Sequence, residues 1–144
     1  MPRIKIILPP SFLFSTLIPV RITDVNYGGH VGNDSILSLI HEARVQFLSF
    51  FGWTELNMAG VGLIMSDVGI EFKNELFYGH TLKIYVTADD FSRAGFDIYY
   101  KMTSVIAGNE TIIAIAKTGM VAFNYSTKKV VAVPEEVKSK LISP

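Results

Sequence analysis

From Asn33 to about Phe51 the apolar residues Ile36, Leu39, Ile40, Ala43, Phe47 and Phe50 recur at helical spacing and fall within one sector. Leu37, Leu48 and Phe51 widen that sector to about half the circumference, which predicts a deeply buried helix. Asn33 is the expected N-cap, Asp34 and Ser35 suit the first turn, and Gly52 supplies the stop. After the helix the period changes to two. The alternating sets are Ile64, Ser66, Val68, Ile70, Phe72, then Leu82, Ile84, Val86, then Phe96, Ile98, Tyr100, Met102. A last apolar run follows from about Thr111 to Asn124. Turn signals at "NELFYGH", "DDFSRAG" and "AGNE" separate the runs, and Pro134 opens a short closing helix in "VPEEVKSKL". With a first strand in the lead-in before Val20, the pattern predicts an α+β domain, an antiparallel sheet around one long helix.

Length and composition narrow the function classes. The 144 residues read as one domain, 1–144, large enough to bury a core without staples. Thirteen basic residues balance thirteen acidic ones without clustering, which argues against nucleic acid or an anionic membrane as partner. Cysteine is absent, which excludes disulfides, thiolate zinc sites and cysteine nucleophiles and suits a reducing cytoplasm. The apolar start is interrupted by Pro9, Pro10 and Pro19 and lacks a cleavage pattern, and no run reaches the roughly 20 apolar residues of a membrane span. A soluble protein is expected. An apolar fraction of 49% with ten Phe and six Tyr is high for this length and predicts an oligomer interface.

Chemistry-bearing residues concentrate in "TDVNYGGHVGNDSILSLIHEAR", residues 23–44. Read as a calcium loop, Asp24 and Asn26 fit, but Gly28 and Ser35 stand where ligands are required. Read as a helical zinc-protease motif, "HEARV" has Val45 in place of the second histidine. No metal site is expected, and no nucleophile elbow or phosphate-binding lysine loop occurs. What remains is a polar, glycine-rich approach to a buried helix, whose free amides could hold a developing oxyanion. Gly28, Gly29 and Gly32 read equally well as a tight turn, and His30 as a structural hydrogen-bonding group. Glu42 falls on the polar sector with Ser38, Gln46 and Ser49, where a solvated carboxylate paired with Arg44 or Gln46 is the plain reading. His41 and Arg44 read as surface or interface groups, and Asp67 as an outward strand residue or a half-buried acid in a site.

The segment resembles the hotdog-fold acyl-CoA thioesterases, in particular the branch with 4-hydroxybenzoyl-CoA thioesterases and bacterial long-chain acyl thioesterases. That branch carries Asp-x-Asp-x-x-Gly-His-Val/Leu-x-Asn followed by a helix with Glu-Ala-Arg. Asp24, Asn26, Gly29, His30, Val31 and Asn33 match it, then Glu42, Ala43 and Arg44. The likeness runs from about Leu17 to Leu141 in family order. It implies a hotdog fold, a five-stranded antiparallel sheet wrapped around a central helix. It also implies homodimers, often paired into tetramers, which bind an acyl-CoA thioester at the dimer interface beside the helix N-terminus. CoA is then part of the substrate and no cofactor is required. Gly29, Val31 and Asn33 would bind the thioester, with amides near Gly29 and His30 polarising its carbonyl.

Asn26 departs from the pattern, standing where many relatives carry an acid that acts as nucleophile or base. An amide donates and accepts hydrogen bonds but does not ionise at neutral pH. The expected mechanism is therefore water attack assisted by Glu42, with Asn26 and His30 positioning and Asp24 and Asp67 as further candidates. Two rivals remain: a non-catalytic acyl-CoA-binding protein, and an enoyl-CoA hydratase of the same fold. The second wants an Asp-x-Asn-x-x-His spacing, and His30 arrives one residue late for it.

Overall fold

The computed structural model describes residues 3–142, so the first two and last two residues of the expected domain lie outside it. Strand β1 (Phe14–Pro19) leads through a 3₁₀ turn at Ile22–Asp24 into helix α1 (Asn33–Phe50). Strands β2 (Gly62–Phe72), β3 (Thr81–Asp89), β4 (Gly95–Ile106) and β5 (Asn109–Asn124) follow; β3, β4 and β5 form a meander, but β2 does not join it as the first of four, because it pairs with β5 rather than with β3. A two-residue strand β6 (Lys129–Val130) and helix α2 (Glu135–Ile142) close the chain. All pairings are antiparallel, in the order β1-β3-β4-β5-β2, with β6 added on β5. The architecture is the expected α+β one, with β6 as an addition.

The core forms where the helical and strand periods meet. Ile36, Leu39, Ile40, Ala43 and Phe47 of α1 are buried together with Leu82, Ile84 and Val86 of β3 and Ile98, Tyr100 and Met102 of β4. On the same sheet face β5 carries Ala114 and Ala116 opposite Met102 and Tyr100, so small side chains accommodate large ones across the ladder. Each fully buried large side chain contributes about 1.5–3 kcal/mol, which makes this face of α1 the main source of the helix's stability.

Both ends of α1 differ in how they close. At the C-terminus Gly52 takes φ +83°, and the N–H groups of Gly52 and Trp53 donate to the carbonyls of Ser49 and Leu48. That is the stop expected from Gly52. At the N-terminus the cap is Gly32, in extended conformation, and Asn33 is already helical. The expected cap is thus one residue late, and no side chain caps this helix.

Arg44 is buried, not a surface group. Its Nε lies 3.2 Å from Glu55 Oε1, its Nη1 donates to Tyr100 Oη at 3.3 Å, and Tyr100 shares a 2.8 Å bond with Thr118 Oγ1. His41 Nε2 reaches the same Glu55 oxygen at 3.1 Å. Burial works against the Arg44 cation, but its bonds to Tyr100 and Glu55 outweigh this and leave its pKa raised. Burial pushes the Tyr100 phenol up as well, so it stays a neutral donor and acceptor.

Two features lie on the outer face of the sheet. A bulge between Met65 and Asp67 shifts the β2 register, so the predicted alternation does not run through the strand, and Val68 and Phe72 are exposed. The N-terminal arm lies against this face. The Ile6 N–H donates to Glu71 Oε2 at 2.5 Å, and a Cβ added at Gly69 would lie 3.4 Å from Ile4 Cγ2. That backbone bond, helped by Lys73, holds the Glu71 carboxyl below the usual carboxylate range.

Two outcomes are expected. Arg44→Met leaves Glu55 and Tyr100 without their shared donor and should lower stability by about 3 kcal/mol, read from denaturant midpoints at unchanged slope. Because the folded pKa of Glu71 is depressed, its contribution is present above about pH 4.3, the unfolded value, and is lost as pH falls through the folded one. Hydrogen exchange at the Ile6 amide should therefore lose its protection on acidification before the core amides do.

Candidate active site

The loop between the 3₁₀ turn and α1 is held by its own polar groups. Asp24 is buried and its carboxylate accepts the Arg21 N–H at 2.8 Å, with the Arg21 guanidinium at 3.5 Å. Its carbonyl accepts the Gly32 N–H at 3.2 Å, so Asp24 fixes the start of the helix. Asn26 Oδ1 accepts the Gly28 N–H at 2.9 Å, its N–H donates to the His30 carbonyl at 2.9 Å, and its carbonyl accepts the Gly29 N–H at 3.1 Å. Gly29 sits at φ +81°, the left-handed conformation that closes this turn.

His30 and Val31 join the loop to the segment after β2. The Val31 N–H donates to the Leu76 carbonyl at 2.7 Å, and His30 pairs with Phe77, their rings edge-on at 6.5 Å. His30 Nδ1 lies 3.1 Å from the Val31 carbonyl, which only accepts, so Nδ1 is the donor of this contact, and in the neutral imidazole tautomer that makes it Nε2 holds the lone pair. The facing segment is pinned too. The N–H groups of Lys73 and Asn74 donate to the Ile113 carbonyl at 2.8 and 3.1 Å, and Asn74 Nδ2 donates to the Ile112 carbonyl at 2.7 Å.

Between these walls lies a cleft of about 240 Å³, lined by His30, Val31, Asn33 and Ile36 on one side and Phe72 to Leu76 with Ile113 on the other. It opens beside the first turn of α1. The first helical bond runs from the Ile36 N–H to the Gly32 carbonyl at 3.1 Å, so the amides of Asn33, Asp34 and Ser35 have no acceptor within the helix. A glycine cap offers none either. The positive end of the helix dipole and three N–H donors are thus available to an oxygen bearing negative charge.

The structure separates the residues that the sequence grouped. His30, Val31 and Asn33 line the cleft, but the Gly29 and Val31 amides are already bonded to Asn26 and Leu76, leaving Asn33 as the free donor of the three. Glu42 lines a different groove of about 380 Å³, with Leu17, Arg21, Ser38, His41 and Gln46. It accepts from Gln46 Nε2 at 2.7 Å, and Gln46 in turn accepts the Thr16 hydroxyl. Nine residues of helix, about 13 Å along the axis, separate it from Asn33. Within the chain Glu42 does not share the cleft with His30. Asp67 is exposed at the β2 bulge, away from the cleft, where it accepts the Gly119 N–H at 2.9 Å and faces Lys117 at 3.5 Å. Among the described residues no three His, Asp or Glu side chains are grouped to hold a metal ion. Glu75, which the sequence reading passed over, lines the cleft; its only signal was its place in the turn "NELFYGH".

Residues 20–141 match the sequence profile of the thioesterase-like superfamily. A protein of Aquifex aeolicus (strain VF5), provisionally named an esterase, is 27% identical over 120 residues, which cover 82% of this chain and 89% of that one. Two solved structures share the fold. The 1,4-dihydroxy-2-naphthoyl-CoA thioesterase from Synechocystis has a TM-score of 0.80 at 21% identity, covering 90% of this chain and 96% of its own. A mutant 4-hydroxybenzoyl-CoA thioesterase complexed with 4-hydroxybenzoyl-CoA also gives 0.80, at 14% identity, covering 89% of this chain and 97% of its own.

The glycine geometry is open to direct test. Gly29→Ala places a Cβ on a left-handed residue and should cost about 1–2 kcal/mol of stability. Gly28→Ala would bring a Cβ to 3.2 Å from His30 Cδ2, so the His30 ring resonances should shift while the global melting temperature stays near that of the parent.

Proposed function

The chain belongs to the thioesterase-like superfamily, and from that premise we propose that it hydrolyses the thioester of an acyl-CoA to a free acid and CoA at the N-terminus of α1. One observation carries the proposal: a cleft beside three helix amides that have neither an intrahelical acceptor nor a side-chain cap. Aimed at a thioester carbonyl, these donors stabilise the charge that grows on oxygen as water adds, and they gain most in the transition state. Removing one such donor in other acyl-transfer sites costs on the order of a hundredfold or more in rate.

His30 and Asn26 act as positioning groups. In the neutral tautomer with the proton on Nδ1, Nε2 of His30 accepts a hydrogen bond from water or substrate at the cleft wall. Asn26 holds the loop that presents it, through the bonds to Gly28, Gly29 and the His30 carbonyl. The protein acts as a homodimer in this reading. Its apolar composition, with Leu17, Val45 and Leu37 exposed on a single protomer, supports burial against a second copy. Glu42 enters the reaction only where the groove of one protomer meets the cleft of another.

Asn26 also favours a second reading, acyl-CoA binding without turnover, because the position offers no ionisable group. Incubation with short, long and aromatic acyl-CoA esters, with free thiol followed by a chromogenic reagent, separates the two. Thiol release above background for at least one ester is expected. Calorimetric binding with no thiol release for any of them would establish the binding protein instead.

A further inference from the structure

We infer that Glu75 is the carboxylate that deprotonates the attacking water, an inference that rests on the thioester-hydrolysis reading above. Hydrolysis of a thioester at neutral pH calls for a base within reach of the water, and the loop position expected to supply one is Asn26. The other acids near the helix start are committed elsewhere. Asp24 is buried and holds the Arg21 N–H and guanidinium. Asp34 packs over Gly32, so closely that a Cβ there would lie 2.7 Å from its Oδ1, and it does not line the cleft. Glu42 lies in the other groove, bonded to Gln46. Glu75 is the one acid that lines the same cleft as His30 and Asn33, and none of the ion pairs among the described residues engages it.

Its backbone is fixed on both sides. Upstream, Lys73 and Asn74 are bonded to the Ile113 carbonyl; downstream, the Leu76 carbonyl holds the Val31 N–H at 2.7 Å. Because Val31 is two residues from Asn33, that last bond ties the wall carrying Glu75 directly to the start of the helix. The side chain itself is exposed, with water and substrate free to approach it. With Glu75 on one wall and the helix start on the other, the cleft of about 240 Å³ has room for a water and a carbonyl.

The chemistry balances without any further reactant. One proton of the water passes to Glu75 as the water oxygen bonds to the carbonyl carbon, and the carbonyl π pair moves onto the oxygen held by the first-turn amides. When the tetrahedral intermediate collapses, the C=O bond re-forms, the C–S bond breaks, and the proton on Glu75 goes to the departing thiolate. The products are the acid and the free thiol, and Glu75 is again ionised.

The test compares Glu75→Gln, Glu75→Asp and Glu42→Gln with the parent on whichever acyl-CoA esters release thiol. Glu75→Gln should lower kcat a hundredfold or more with KM within about threefold of the parent. Its melting temperature should not change, since the side chain is exposed. Glu75→Asp, which keeps the carboxylate, should recover part of the lost rate. An active parent with kcat undiminished in Glu75→Gln overturns the assignment of Glu75 alone, as does a loss confined to KM. A large kcat loss in Glu42→Gln beside a parent-like Glu75→Gln also overturns it, moving the base to Glu42 of a second protomer. A parent that releases no thiol from any ester overturns both the assignment and the reading on which it rests.

Discussion

The constraint on which the rest depends is that α1 is locked into the core by its apolar face while its first turn is fixed from outside by two backbone bonds. The burial of Ile40, Ala43 and Phe47 sets the position of the helix. The Gly32 N–H on the Asp24 carbonyl and the Val31 N–H on the Leu76 carbonyl set where it begins. Neither bond uses a side chain of the helix itself. A conventional cap would satisfy the first amides and close them to anything else. Holding the helix start through the preceding backbone leaves those donors unspent, and the core carries the stability that a cap would otherwise add.

The same division of labour runs through the polar groups. Arg44, Glu55, Tyr100 and Thr118 form a chain from α1 into the sheet, far along the helix from its N-terminus. They orient the helix about its axis in a way that apolar contacts, being non-directional, do not. Asp24 plays the corresponding part at the other end. The polar residues that line the cleft are His30, Asn33, Lys73, Asn74 and Glu75, beside the first helix amides.

The long helix and the meander were legible because each has an unbroken period, 3.6 for α1 and two for β3 and β4, and a stop residue at the right place in Gly52. The cap was misread by one residue because Asn33 has the chemistry of a cap, whereas the position is decided by the bond from Gly32 to Asp24, which no local pattern announces. Arg44 was misread although the signal was present: four residues after Ile40 and three before Phe47, it falls inside the apolar arc. The β2 alternation failed at a bulge. Of the candidate site, one wall was legible, since Asn26 to Asn33 is contiguous in sequence. The facing wall was not, because Phe72 to Leu76 and Ile113 reach the helix only through strand pairing between β2 and β5. Long-range register, rather than composition, decides which acid stands opposite the amides.

The arm that crosses the outer face of the sheet has a practical consequence. Arg3, Ile4 and Lys5 bound a hollow together with Phe72 and Lys73, and those two residues also line the cleft. The arm at Arg3, Ile4 and Lys5 therefore lies beside the rim of the cleft. A fluorescent label attached to this arm, at Lys5 for example, would stand within reach of anything entering that opening. Labels for kinetic or binding work belong on a different surface, such as the exposed turn between β4 and β5 at Ala107 and Gly108.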